Sequence, residues 1–272
     1  MSTVIVGFDF STGSAKAVDL AIDIANRWHA DLRLVYVKNS PNEDEKPIRE
    51  EIERRNAGVA SLLKDIKMDY VLLSGVVHEQ LTAEAERCGA QLIVVGTNGM
   101  SGQSTNWIGR NTYRTITESD IPVLTVREDF NFNKALENIV VPVDSTSATR
   151  QKVPIAAKFA RLFGSKVHIL GLYTSENKSI HDIVDGYVNQ VQKHLDNAGV
   201  RYETVCLSAE KNLTVSTLEY ADKVNADLIT IMTEQEKALS HWFIGNFAQQ
   251  MLNLSRRPIL SVRPQQYGSE AR

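Results

Sequence analysis

The 272-residue sequence predicts an α/β fold of two tandem, doubly wound parallel-sheet domains. Three observations predict it. Short β-branched runs alternate with amphipathic stretches, the order that builds an open sheet with helices on its faces. The runs at 4–8 and 91–96 are almost continuously apolar, as in strands covered on both sides. Finally, the chain repeats itself. Ala90–Val95 (AQLIVV) returns as Ala226–Ile231 (ADLITI), Ile108 and Gly109 as Ile244 and Gly245, and Ile121–Arg127 (IPVLTVR) as Arg257–Arg263 (RPILSVR), each displaced by 136 positions. Val4–Asp9 (VIVGFD) answers Ile139–Asp144 (IVVPVD) at a displacement of 135, so a single indel separates the two offsets. That period is far too long for a solenoid unit and suits a whole domain. The domains are placed at 1–128 and 136–264, with a linker near Glu128–Lys134.

In the first half the reading is strand 3–9, helix 13–28, strand 32–38, helix 43–65, strand 69–74, helix 79–89, strand 91–96, helix 107–118 and strand 122–127. Ser11 or Thr12 can cap the first helix, and Ala17, Leu20, Ala21, Ile24, Ala25 and Trp28 fall on one apolar face, with Trp28 read as core. The charged segment 42–55 reads as a solvated helical face with i,i+4 ion pairs. Pro122 and Pro258 stand where the last strands, 122–127 and 258–263, begin, a position that tolerates a missing amide.

Composition narrows the function. Thirty basic and thirty-three acidic residues give a net charge of −3, with no basic stripe to neutralise a phosphate backbone, so nucleic acid is not expected as a partner. No apolar run approaches the ~20 residues that span a bilayer, so no membrane association is expected. The opening MSTVIVGFDFS lacks the pattern of a secretory signal, which points to the cytoplasm. Cys88 and Cys206 show no CxxC spacing and read as small buried hydrophobes, and the six histidines are scattered, so no metal site is expected. Neither a GxSxG elbow nor a GxxxxGK[ST] loop is present. His78, Glu79 and Glu84 could be imagined as acid and base, but a lone histidine at a helix start reads as a surface or capping group.

In an open parallel sheet a ligand sits beyond the strand ends where strand order reverses. Asp9 follows the first strand and the glycine-bearing loop 96–102 follows the fourth, so the two face one crevice if those strands are neighbours at the reversal. Glycines there allow close backbone approach, and the following helix start attracts anions. The spacing Gly96-xx-Gly99, nine residues, then Gly109, after LIVV and before PVLTVR, resembles the nucleotide-binding signature of the universal stress protein family. With Asp9 and the tandem repeat, the resemblance covers nearly the whole chain.

The resemblance implies a Rossmann-like, five-stranded parallel sheet in each domain and an adenine nucleotide, ATP or AMP with Mg²⁺ accompanying it, in the N-terminal domain alone. It places Asp9, Phe10 and Ser11 at the adenosine end and the Val37 backbone at the adenine. Gly96, Gly99 and Gly109 then surround the phosphates, and Thr97, Gly102, Arg110, Asn111 and Thr112 are further candidates for contact with the nucleotide. The pattern departs from the family at Arg110, where a Ser or Thr is usual. In the second half Gly96 maps to Met232 and Gly99 to Gln235, while Asp144 and Gly245 survive, and Glu234 and Glu236 add negative charge. That half is expected not to bind ATP in the family manner. The resemblance further implies pairing of the two domains through their last strands and leaves a homodimer open. With no identifiable general base, the chain reads as a stress-adaptation protein with a regulatory nucleotide and at most slow ATP hydrolysis. The alternatives are an interaction scaffold without a ligand, or a protein that binds another metabolite or a lipid in a pocket near Met232, Leu239, Trp242 and Phe243. In the bland reading, Asp9 only bonds nearby backbone amides.

Overall fold

A computed structural model describes residues 2–38, 40–97, 108–130, 135–209, 212–233 and 245–265. The chain divides into two compact units, Met1–Asn133 and Lys134–Arg272.

The N-terminal unit runs β1 (Thr3–Gly7), α1 (Thr12–Trp28), β2 (Asp31–Lys38), α2 (Glu45–Val59), β3 (Met68–Ser74), α3 (Val77–Arg87), β4 (Ala90–Gly96), α4 (Arg110–Glu118) and β5 (Val123–Val126). Its strands lie in the order β3-β2-β1-β4-β5, all parallel. β1 therefore feeds β2 on one side and has β4 on the other, with Val4, Ile5 and Val6 facing Leu92, Ile93 and Val94. This β1/β4 boundary is where the strand order reverses.

Local chemistry explains each boundary. The Ser11 side chain accepts from Ser14 N (3.1 Å) and caps α1. The helix buries its predicted face, Trp28 included, and ends at His29 in the left-handed conformation (φ 50°). Strand β1 stops at Gly7 rather than residue 9, because residues 9–11 form a tight turn with Phe10 at φ 65°. Helix α2 ends at Val59 rather than at residue 65, and a 3₁₀ turn covers Ala60–Leu62. Asn26 holds the chain there, donating to Leu62 O (2.7 Å) and accepting from Lys64 N (2.8 Å). The outer face of α2 carries the expected pairs, Glu45–Arg49 at 2.7 Å and Glu51–Arg54. Cys88 and Cys206 are half-buried rather than core residues. Cys88 stands at the C-terminal end of α3 and Cys206 lies in β8, an edge strand, so each thiol is covered on one side only.

The C-terminal unit repeats the plan with β6 (Asn138–Val143), α5 (Val153–Phe163), β7 (Lys166–Tyr173), α6 (Lys178–Asn197), β8 (Tyr202–Ser208), α7 (Leu213–Lys223), β9 (Leu228–Met232), α8 (Asn246–Leu254) and β10 (Ile259–Val262). Its strands are parallel in the order β10-β9-β6-β7-β8. The C-terminal counterpart of α1 starts late: a 3₁₀ turn at Ser147–Arg150 stands where α1 has its first turn, and α5 begins only at Val153.

Among the described residues no helix is long and apolar enough to cross a membrane. The central strands carry most of the apolar burial, and Ile5, Leu92 and Ile93 are fully buried. Ile93→Ala is expected to lower the stability of the full chain in urea by about 2–5 kcal/mol, while Ile183→Ala, at a side chain 39% exposed, changes it by less than about 0.5 kcal/mol.

Candidate functional site

A cavity of about 290 Å³ opens at the β1/β4 boundary of the N-terminal unit. It is bounded by the β1–α1 turn, the end of β2, the first turn and inner face of α3, the end of β4 and the first turns of α4. Of the residues predicted from sequence, Asp9, Ser11, Val37, Gly96, Gly109, Arg110, Asn111 and Thr112 line it. Phe10 does not. Its left-handed backbone turns its ring away, against Phe8 (centroids 5.0 Å) and Tyr36 (5.2 Å). Thr97 is buried outside the cavity wall and serves the loop base, its carbonyl accepting from Gly109 N at 2.7 Å. Gly99 and Gly102 lie outside the described residues.

The turn at Asp9 is a closed hydrogen-bonded unit. Asp9 Oδ1 accepts from Ser11 N (3.1 Å) and from Ser11 Oγ (2.5 Å). Ser14 Oγ accepts from Asp9 N (3.3 Å) and donates to Ser11 O (3.0 Å). Asp9 thus shapes the helix entry, the bland reading of this residue, while still facing the cavity. Gly96 has a packing reason to be bare. A Cβ there would lie 2.7 Å from the Gly13 carbonyl carbon and 2.9 Å from Ser14 N, so the close approach that demands glycine is to the start of α1. Thr112 Oγ1 donates to Gly96 O (2.8 Å), fastening α4 to β4, so this hydroxyl positions the helix. Gly109 caps α4 without a side chain, and the first helical residues, Arg110 and Asn111, are exposed.

Sequence reasoning missed Ser14, Tyr36, Leu81 and Thr115, which line the wall together with apolar residues of β1, β2, α3 and β4. Leu81 and Thr115 sit on the buried faces of α3 and α4, so amphipathic periodicity marks them as inward-facing but not as site residues. The Tyr36 hydroxyl donates to Glu43 Oε1 (3.2 Å), and burial, reinforced by that carboxylate, pushes its pKa up to about 12. His78 pairs with Glu118 (3.2 Å) and Glu84 with Arg33 and Arg87, which hold the Glu84 carboxyl below the usual carboxylate range. These groups tie elements together. Among the described residues no group of three or more His, Cys, Asp or Glu is placed to hold a metal ion.

The C-terminal unit keeps the turn and changes its surroundings. Asp144 Oδ1 accepts from Thr146 N (2.9 Å) and Thr146 Oγ1 (2.6 Å), and Asp144 N donates to Thr149 Oγ1 (3.2 Å), as at Asp9, but Thr149 N donates to Thr146 O (3.1 Å) where Ser14 N uses the Ser11 hydroxyl. Asp144, however, is buried. Met232, 2% exposed, replaces Gly96, and buried Phe247 replaces Asn111. Lys152, 3% exposed, replaces Ala17, its Nζ donating to Thr149 O (2.5 Å) and Thr149 Oγ1 (3.2 Å). Burial pulls the Lys152 pKa down to about 8, against the opposing attraction of Asp144. Gln235, Leu239, Trp242 and Phe243 lie outside the described residues.

The universal stress protein family model matches the chain twice, over residues 1–127 and 135–263. Universal stress protein YxiE of Bacillus subtilis is 26% identical over 144 residues, which is 46% of this chain and 97% of that protein. Universal stress protein MJ0531 of Methanocaldococcus jannaschii is 27% identical over 138 residues, 46% of this chain and 81% of that protein. Among solved structures, a universal stress protein from Archaeoglobus fulgidus matches with a TM-score of 0.76 at 14% identity, covering 97% of this chain and 98% of that one. At that identity the likeness speaks for the fold.

The buried amine generates a pH prediction. Its folded value, about 8, lies below the ordinary 10.5, so between these pH values the folded chain binds fewer protons than the unfolded chain and stability rises with pH. Below pH 8 the buried ammonium lowers stability by roughly 3 kcal/mol at most. Lys152→Met is therefore expected to be more stable than the natural chain at pH 7, with the gap closing towards pH 10.5. Urea midpoints at both pH values check this, and a gap of unchanged size would contradict it.

Proposed function

The chain belongs to the universal stress protein family in both halves, and from that premise we propose that this stress-related protein binds an adenine nucleotide, ATP or AMP, in its N-terminal unit as a regulatory ligand. The observation that carries the reading is the open cavity at the strand-order reversal, the position at which doubly wound sheets take ligands. Its wall suits the ligand's two ends. A carboxylate, hydroxyls and the Val37 backbone at the β1 and β2 ends can meet a nucleoside. The α4 start, with free amides and Arg110, can meet phosphate. Any Mg²⁺ arrives on the phosphates, since no cluster of side-chain ligands stands ready for it among the described residues.

The C-terminal unit is read as the non-binding partner. Met232, Phe247 and Lys152 bring side chains to the places of Gly96, Asn111 and Ala17, and Lys152 supplies beside Asp144 a cation that a ligand need not bring. Hydrolysis is no part of the proposal. Among the described residues of the cavity wall Asp9 is the sole carboxylate, and it is already engaged by the Ser11 hydroxyl and amide. Pairing of the two halves through their last strands, a homodimer and a cytoplasmic location belong to the same reading.

A second reading, a scaffold that acts through its surface without a ligand, draws on the closed character of the C-terminal turn. Calorimetric titration of the full chain with ATP and with AMP separates the two. The expected result is one site per chain, abolished by Asn111→Phe, which installs the residue that the C-terminal unit carries at the equivalent position. Two sites per chain, or binding indifferent to that substitution, would contradict the assignment. No heat with either nucleotide would favour the scaffold.

A further inference from the structure

We propose that Arg110 makes the N-terminal cavity a reader of phosphate number, selecting adenosine di- and triphosphate over AMP and over uncharged adenosine. The inference rests on the nucleotide reading above and adds the charge class of the ligand. Among the described residues of the cavity wall two are formally charged, Asp9 and Arg110. Asp9 repels phosphate, whereas Arg110, in the first turn of α4, attracts it.

That guanidinium is available in a way its neighbours are not. Arg33 is held by Asp69 and Glu84, Arg55 by Asp19 and Ala15 O, Arg87 by Glu84, and Arg114 by Glu118. Arg110 is exposed and makes no hydrogen bond or ion pair with any described residue. Its planar fork of donors is therefore uncommitted and matches phosphate oxygens two at a time. Cavity size puts the phosphates within its reach. About 290 Å³ lies at the small end of the ~300–1,000 Å³ typical of ligand pockets, enough to enclose base and sugar while the phosphates extend to the rim. At a solvent-exposed rim the attraction scales with ligand charge and weakens with salt. The C-terminal unit has neutral Asn246 at this place.

The test is calorimetric titration of the full chain, Arg110→Ala and Arg110→Lys with adenosine, AMP, ADP and ATP at low and high ionic strength. The natural chain is expected to bind more tightly as phosphates are added. Arg110→Ala should lose about tenfold in ATP affinity, with the loss shrinking through ADP and AMP to within about twofold for adenosine. Arg110→Lys should recover part of the loss, and the salt dependence for ATP should fall in Arg110→Ala. Affinities that do not rise with phosphate number, or an Arg110→Ala loss of equal size for adenosine and ATP, would overturn the inference while leaving nucleotide binding intact. Failure of the natural chain to bind any of the four compounds would overturn the nucleotide reading and the inference together.

Discussion

The architecture of the N-terminal unit depends on how closely the end of β4 approaches the start of α1. With no side chain at Gly96, the strand lies directly against the backbone of Gly13 and Ser14. Inserting even a methyl group would force a shift of main chain rather than of a flexible side chain. The approach lets α1 begin at Thr12, immediately behind the Asp9 turn. It also brings the Gly96 carbonyl to the Thr112 hydroxyl, which fastens α4. Three of the elements that bound the cavity, α1, β4 and α4, thus meet at one bare strand residue.

The C-terminal unit shows what changes when that residue acquires a side chain. Its turn repeats the Asp–hydroxyl–amide pattern, so the hydrogen bonding of the strand-to-helix connection is shared by both units. With Met232 at the strand end, the helix starts six residues after the position equivalent to Thr12, behind a 3₁₀ turn. Lys152 then lies buried beside Thr149, near enough for the Asp144 carboxylate to influence its protonation. Burying an ammonium is unfavourable without compensating partners, and these are the ones available. Two copies of one fold have thus diverged at the crevice while holding the same scaffold: one opens onto an acidic residue and an exposed cation, the other encloses an acidic residue with a buried cation of its own.

Much of this was legible in the sequence, for physical reasons that also set the limits. Alternating apolar runs and amphipathic helices specify a parallel sheet because only that arrangement buries both faces of runs such as Leu92–Val95. The spacing from Asp9 to the glycine-bearing loop located the crevice, since strand ends and reversals follow from connectivity. The partner of each group was not legible. Nothing near Gly96 in the chain says that its bare side meets Gly13, which lies 83 positions away. The left-handed turn at Phe10 and its packing on Tyr36 depend on aromatic contacts across elements. The sequence after Val59 carries no helix-breaking residue before Asp65, yet Asn26, on a different helix, captures the chain there. Tyr36, Leu81 and Thr115 carry no motif and enter the cavity only because of the faces their elements bury.

Hydrogen exchange of the full chain with and without saturating ATP tests most directly whether one crevice of the two is the ligand site. The account predicts added amide protection in the Asp9–Ser14 turn, around Val37 and over Gly109–Thr112, with none in the equivalent segments near Asp144–Lys152 and Gly245–Ala248. Protection appearing in the C-terminal segments, or spread evenly over both units, would contradict it.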